Sequence, residues 1–431
     1  METMRVIIIG AGAAGLSAAR VLAGHPGVTC IHLEAQETVG GRVKTFAGEG
    51  GSALDCGASF VHARDLALYR EARQRGLLAR NGKAAMLLAG RYIPAWWFVC
   101  RHLLPNLRKL KQMLPRFYRI DDSQQNLGQL IATLDLTPPA AGFMRSTLGS
   151  SLGCAVEQVG VQALRQSLEK AGIHPLKDLI RQTLNQPMAT LVAEIYAEQI
   201  AQVLTGHPVT SIDYQGTSVR VQCENGRQFV ADRVIITVPL AILQQGRIRF
   251  DPPLPTGHQQ AIASLGMGQG LKLRLQFGKA FWKKRLRLLI NTGGLFHFWV
   301  PDPAQAVLMV FYVAAAGEVL DEQAVLTRVM ETLSTAFAQD VVSLLISSQL
   351  ENWSANPFIG GLYSFDAVGS EGARTQLQVP VADRLYLAGE ATVEGHSATV
   401  DGAIESGRRA ALQILNQIPG PDPAIEHLQK S

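Results

Sequence analysis

RVIIIGAGAAGLSAARVLAGHPGVTCIHLE, residues 5–34, decides the fold. Its opening, Arg5 to Ile9, is a short β-branched run of the kind buried on both faces of a parallel sheet. Gly10-Ala11-Gly12-Ala13-Ala14-Gly15 follows directly, and Leu16 to Ala23, rich in alanine and leucine, reads as helix. A second apolar run, Val28 to Leu33, ends on Glu34, nineteen residues after Gly15. Strand, glycine turn, helix, strand and acid in this register form a βαβ unit that binds a dinucleotide. Gly10 permits the tight turn, Gly12 lets backbone approach a pyrophosphate, and Gly15 lets helix and strand pack. The helix N-terminus offers free N–H groups and partial positive charge to the phosphates. Glu34 would accept hydrogen bonds from an adenosine ribose, and a carboxylate there argues against NADP. Ala14 and Ala35 belong to the same expected contact surface. Arg5, the apolar run and the alanines near 18–19 could also pass for a secretory signal. A cleaved segment needs neither three glycines at this spacing nor an acid one strand later, so the stretch is expected to be retained.

A chain of 431 residues is long for one core, so two domains are expected. With 47% hydrophobic and 17% charged residues it has the composition of a globular protein with a large interior. The net charge of +5 is spread along the chain, and no nucleic-acid-binding motif accompanies it. The five cysteines (Cys30, Cys56, Cys100, Cys154 and Cys223) are odd in number and widely spaced, against a disulfide framework, a zinc site or a CxxC redox pair. No metal is expected. No apolar run reaches the ~18 residues of a spanning helix, and a reducing, cytoplasmic setting is the expectation.

Further along, 64–76 reads as helix, 80–100 has hairpin-like patches around Gly82 and Gly90, and 101–200 is mostly helical, broken by prolines. Strands return at Val209 to Ile212, Ser218 to Cys223 and Gln228 to Val230, with Asn225-Gly226 as a hairpin turn. Val234 to Val238 is another apolar strand, and Leu271 to Phe277 (LKLRLQF) alternates, with Lys272 and Arg274 on one solvated or cavity-facing side. Residues 318–338 read as helix, Leu385 to Leu387 as strand and Val400 to Ile414 as helix. Dinucleotide-type pieces are therefore interleaved with other blocks. We expect a nucleotide-binding domain from 1–79, 205–264 and 352–418, a substrate-binding domain from 80–204 and 265–351, and a polar tail at 419–431.

These residues resemble the FAD-dependent amine oxidases, the group of monoamine oxidases, polyamine oxidases and flavin histone demethylases. Gly40-Gly41-Arg42 looks like the family's GGR segment beside the FAD phosphates, and Thr237-Val238-Pro239-Leu240 is similar to its TVPL strand. Leu265-Gly266-Met267-Gly268 before Lys272 resembles the segment whose lysine holds a water near flavin N5. Trp353 with Gly360-Gly361-Leu362-Tyr363-Ser364 looks like the one that sets an aromatic ring against the flavin. Ala388-Gly389-Glu390 and Ala398-Thr399-Val400-Asp401-Gly402-Ala403 resemble the C-terminal FAD motif. Asp55-x-Gly57-Ala58-x-x-x-His62 is closer to the polyamine oxidases, with His62 at their active-site histidine. Leu362 stands where monoamine oxidases attach FAD through cysteine, and Thr399 where they carry a second cage aromatic.

The resemblance implies a Rossmann-type, glutathione-reductase-like FAD domain, α/β in class, with an interleaved α+β substrate domain carrying a mixed or antiparallel sheet. It implies non-covalent FAD contacted by Gly10, Gly12, Ala14, Gly15, Glu34, Ala35, Gly41, Arg42, Gly57, Ala58, Ser59, Val209, Pro239, Trp353, Gly389, Glu390, Thr399 and Val400. Lys272, His62, Tyr363 and His396 are the candidate catalytic residues. Lys272 could instead lie on a solvated face, Tyr363 and His62 could be structural, Glu390 could cap a helix, and Thr399 could both cap and contact the flavin.

The implied reaction is oxidation of an amine at the carbon next to nitrogen, with O2 as acceptor and hydrogen peroxide as product. Polyamines or their acetylated forms lead, and Glu157, Glu169, Asp178 and Glu194 are candidate carboxylates for a polycation. An amino-acid oxidase using Arg145 or Arg165, a monoamine oxidase, a desaturase or porphyrinogen-oxidase-like enzyme and a non-catalytic flavin-binding protein are the alternatives. No nucleic-acid partner is expected, and the state is monomer or homodimer. The basic aromatic stretch around Trp96-Trp97-Phe98, with Arg101, Arg108, Lys109, Lys111 and Arg116, reads as a domain helix with snorkelling cations in preference to a membrane-contacting one.

Overall fold

The computed structural model describes residues 3–46, 53–62, 66–79, 82–173 and 181–418. The tail beyond residue 418 and Asp178 lie outside these residues.

A five-stranded parallel sheet carries the first strand, Met4–Ile9, at its centre. Ile9 stands opposite Leu33 of strand Val28–Leu33 on one side and Ile236 of strand Arg233–Ile236 on the other. Leu385–Leu387 and Val203–Leu204 complete the edges, also in parallel. The uninterrupted β-branched run is explained by cover on both faces. Val6 and Ile8 pack under the helices Ala13–Ala23 and Val400–Leu415, while Ile7 and Ile9 join the core of the opposite face. The two helices touch through Gly407, where a Cβ would sit 1.9 Å from the Ala14 carbonyl oxygen. A four-stranded sheet, with spatial order 228–231, 219–223, 209–213 and 249–251, covers that opposite face. Asn225-Gly226 makes its hairpin turn, with Gly226 at φ +82.

The second sheet has seven strands, in order 345–352, 270–277, 307–313, 296–299, 286–291, 83–88 and 91–94. It is antiparallel except for the parallel pair Leu286–Asn291 and Lys83–Leu88, so it is mixed, as expected. Helix Glu322–Phe337 packs Val325, Val329, Met330 and Leu333 onto one face, against Leu271, Leu273, Leu275 and Phe277. Alternation in 271–277 therefore marks a core face and a second face, but neither is solvated. Lys272 and Arg274 share the second face and both are buried, Lys272 against Gly57, Ser59 and the Trp299 ring. The helix expected over 64–76 is Ala67–Gln74, and the final helix runs Val400–Leu415. Between the sheets, residues 95–170 form a set of short helices ending in the longer Pro138–Leu152 and Val161–Lys170.

Candidate active site

A cavity of about 750 Å³ runs from the first βαβ unit to the face of the seven-stranded sheet turned away from its helix. At its first end the turn after Met4–Ile9 takes Gly10 to φ +100. Gly12 opens helix Ala13–Ala23 with no side-chain cap and no acid in the first turn, so the N–H groups stay available for an anion. A Cβ at Gly12 would meet only the Gly40 carbonyl oxygen, at 3.9 Å, and one at Gly41 only the Gly12 Cα, at 3.5 Å. The two bare glycine loops, joined by the Gly40 N–H donating to the Ala11 carbonyl at 2.9 Å, form a cradle that fits the pyrophosphate of a dinucleotide. Glu34 lies beside it, buried, accepting from the N–H groups of Ala11 (2.7 Å) and Gln36 (3.0 Å). Burial pushes its carboxyl above the usual range. Ala35 and Val209 continue this wall.

Behind the cradle a buried polar chain crosses the molecule. Arg42 donates to the Leu362 carbonyl and to Glu390 Oε1, both at 2.9 Å. Glu390 Oε2 accepts from Ser364 Oγ at 2.7 Å and the Ala398 N–H at 3.0 Å. Arg374, 1% exposed, donates from Nη1 to Ser364 Oγ at 2.8 Å and from Nε to Asp366 Oδ1 at 2.6 Å. Burial raises and these partners lower the Glu390 carboxyl, with Arg42 the largest of them; the outcome is a value below the usual range. Glu390 is thus no surface acid, and its carboxylate is fixed in place by protein groups. Thr399 caps Val400–Leu415, its hydroxyl accepting from the Gly402 N–H at 2.9 Å, and it lines the cavity.

The other end is set by sheet register. Lys272 stands opposite Phe311, Phe311 opposite His297, and His297 opposite Ile290, one row across four strands. Side chains in one such row leave the same face, and all four line the cavity. Trp299 and Leu288 follow two residues along. Lys272 is 5% exposed; its Nζ donates to the Gly57 carbonyl and to Ser59 Oγ (2.7 Å), and lies 4.9 Å from the centre of the Trp299 ring. Desolvation pushes its ammonium down to about 8, opposed by the charge of nearby Asp55. Asp55 is itself pushed up to about 6 by burial while accepting from the Met188 N–H at 3.0 Å at the start of helix Met188–Ile195. Tyr363 donates its hydroxyl to the Ser150 carbonyl at 2.9 Å and stacks on Phe311 with ring centres 6.4 Å apart and planes 20° apart. Trp353 donates from Nε1 to the Cys56 carbonyl at 3.0 Å.

The cavity brings together Lys272, His62 and Tyr363 with Gly10, Gly12, Ala14, Glu34, Ala35, Gly41, Arg42, Gly57, Ala58, Ser59, Val209, Pro239, Trp353, Gly389, Glu390, Thr399 and Val400. Two expected residues are elsewhere. Gly15 sits within helix Ala13–Ala23 on the side turned to the strands, where a Cβ would be 1.9 Å from the Gly10 carbonyl oxygen and 2.9 Å from His32 Nε2; it serves packing. His396 is not part of the cavity wall, which Ala398 and Thr399 reach; its carbonyl accepts from the Thr399 hydroxyl at 2.7 Å. Glu157, Glu169 and Glu194 pair instead with Arg145, Arg165 and Arg75. Phe60, His297, Trp299, Phe311 and Ser150 were not foreseen at the site, nor Arg374 and Ser364 behind it.

Residues 106–415 match the family model of the flavin containing amine oxidoreductases, and residues 8–72 that of an NAD(P)-binding Rossmann-like domain. The chain is 29% identical to human (Homo sapiens) lysine-specific histone demethylase 2 over 95% of its own length and 53% of that protein. It thus spans about half the length of that relative. It is 26% identical to the bovine (Bos taurus) peroxisomal N(1)-acetyl-spermine/spermidine oxidase, covering 98% of this chain and 97% of that one. The solved structure of a putrescine oxidase redesigned in its cofactor binding shares the fold, at 17% identity and a TM-score of 0.79 over 96% of this chain and 99% of that one.

Proposed function

We propose that this chain, which belongs to the flavin containing amine oxidoreductase family, oxidises a small amine at the carbon next to nitrogen, using FAD held without a covalent link. When bound, FAD supplies the acceptor for the hydride equivalent that leaves this carbon, and O2 takes the electrons on to hydrogen peroxide. The glycine cradle and the first helix hold the pyrophosphate, Glu34 the adenosine ribose, and Arg42 and Glu390 form the wall between cradle and sheet. Leu362 offers no nucleophile for attachment.

The observation that carries the reading is the buried Lys272, set among aromatic rings at the other end of the cavity that the cradle opens. With a value near 8 it gives up or takes a proton close to neutral pH, and its contacts to Gly57 and Ser59 fix where that proton is held. Tyr363, Phe311 and Trp299 present ring faces that orient an amine and exclude bulk water. His62, on the wall of the same cavity, is the candidate substrate contact. The imine left by oxidation is hydrolysed by water.

Polyamines are the proposed substrates, supported by the Asp55-to-His62 segment and the similarity to an acetyl-polyamine oxidase. Acetylated forms carry fewer charges, which suits a cavity end where the described lining around Lys272 is aromatic, hydroxylic and histidine. Anaerobic addition of acetylated spermine, spermine, a benzylic monoamine and amino acids, one at a time, to the FAD-loaded protein tests this. Rapid bleaching of the visible flavin band by the acetylated polyamine is expected. Bleaching by amino acids alone would overturn the substrate class, and bound flavin that no amine reduces would overturn the reaction.

A further inference from the structure

Five of the twelve large apolar side chains left exposed among the described residues fall within residues 96–107. They are Trp96 (69% exposed), Trp97, Val99, Leu104 and Leu107. Such a cluster is unusual on a solvent face, and large exposed apolar patches mark contact with something else. The segment is firmly seated. Phe98 is fully buried against Met86 and Ile290, its ring 5.5 Å from that of Phe143. Asn106, also buried, donates to the His102 carbonyl (2.8 Å) and to Thr137 Oγ1 (2.9 Å). The outward tryptophans are therefore held by an inward anchor on the same short helices.

Charge on this segment is of one sign. Residues 91–120 contain seven Lys and Arg and no Asp or Glu. Lys109 is tied to Asp135 and Arg116 to Thr133. Arg101, Arg108 and Lys111 make no ion pair among the described residues, and Arg101 and Arg108 are exposed next to the apolar cluster.

We propose that this face docks on an anionic lipid bilayer surface, with Trp96 and Trp97 entering the headgroup boundary and Arg101, Arg108 and Lys111 meeting lipid phosphates. Tryptophan suits that boundary, having an apolar ring with one polar edge, and short amphipathic segments with cations beside the apolar stripe lie in the interface plane. Cations near an anionic leaflet add electrostatic attraction. A second copy of the chain fits the patch poorly, because a two-fold contact would lay this cationic segment on itself, with no Asp or Glu in residues 91–120 to meet it. An acidic protein would meet the cations but gives no reason for the bare tryptophan pair.

The test uses the full FAD-loaded chain with vesicles of phosphatidylcholine alone or mixed with phosphatidylserine, read by sedimentation and tryptophan emission. Binding to the mixed vesicles is expected, with a blue shift, weakening as salt is raised. Trp96→Ser/Trp97→Ser and Arg101→Glu/Arg108→Glu/Lys111→Glu should each weaken it about tenfold or more while flavin content and amine oxidation in solution stay unchanged. No association with mixed vesicles at low salt would overturn the proposal. So would binding that the tryptophan variant leaves intact, or a wild-type oligomer that the same variant dissociates.

Discussion

Lys272→Met exchanges a buried ammonium for an apolar side chain of similar length. Burial holds the Lys272 ammonium at about 8 in the fold, against 10.5 for a free lysine. Below the lower value both states hold the proton and the full cost of burying it is present. Between the two values the unfolded chain binds more protons than the native one, so stability rises with pH. A shift of this size costs about 3 kcal/mol at pH 7, of which about 2 kcal/mol is regained by pH 9.5. Methionine has no such slope. It is relieved of that cost but loses the Nζ contacts to Gly57, Ser59 and the Trp299 ring, worth about 2–4 kcal/mol together. The variant should thus match the wild type at pH 7 and fall about 2 kcal/mol below it at pH 9.5. Asp55, raised to about 6, contributes stability that is lost as pH rises through that value, below the window used. Guanidinium unfolding of both FAD-loaded proteins at the two pH values measures the difference. A wild-type-minus-variant stability that is flat with pH would refute the buried-ammonium reading. In the same samples, amine-driven flavin reduction should slow about tenfold or more, and an unchanged rate would refute the role of the lysine.

Gly15→Ala places a methyl 1.9 Å from the Gly10 carbonyl oxygen, so it should cost about 3 kcal/mol and lower flavin retention; denaturation midpoint and flavin content report both, and a wild-type value for each would refute the packing role. Arg374→Met leaves Asp366 buried without its cation and should cost about 3–5 kcal/mol, most of it restored by adding Asp366→Leu. A single variant within about 1 kcal/mol of wild type would show that the pair does not hold the chain behind Glu390 together.

How much could be read from the chain differs from residue to residue. The fold of residues 5–34 was legible, because a strand buried on both faces, a bare glycine turn and an acid one strand on are all local signals, though Gly15 packs where a cofactor contact was expected. Arg42 and Glu390 were legible only as patterns, since the partners that fix them come from distant stretches, whereas Thr399 was legible as a cap because its partner Gly402 is three residues on. Lys272 was half legible: alternation assigned its face, but only the neighbouring strands show that this face lines a cavity. Trp299 and Phe311 were not legible. FHFW (296–299) and VLMVFYV (307–313) lie inside the sheet and are mostly buried on both faces, so hydrophobicity carries no period to say which ring points inward. Their place is set by pairing, Lys272 opposite Phe311, which is a fact of register. His396 shows the converse, a histidine in a suggestive loop that is not part of the cavity wall.

The parallel sheet under the cradle draws its strands from 4–9, 28–33, 203–204, 233–236 and 385–387. During synthesis the glycine turn therefore emerges some two hundred residues before its neighbour strand 233–236, and longer still before Glu390 and Thr399. Until then Met4–Ile9 carries an unpaired β-branched edge, the kind of surface on which nascent chains aggregate. Closing such long loops is slow, and the nucleotide wall is complete only once the stretch around Glu390 and Thr399 has left the ribosome. FAD can therefore stabilise the finished chain strongly while doing little for a partial one. The yield of active protein in a cell should then depend on protection of that first strand during translation more than on flavin supply.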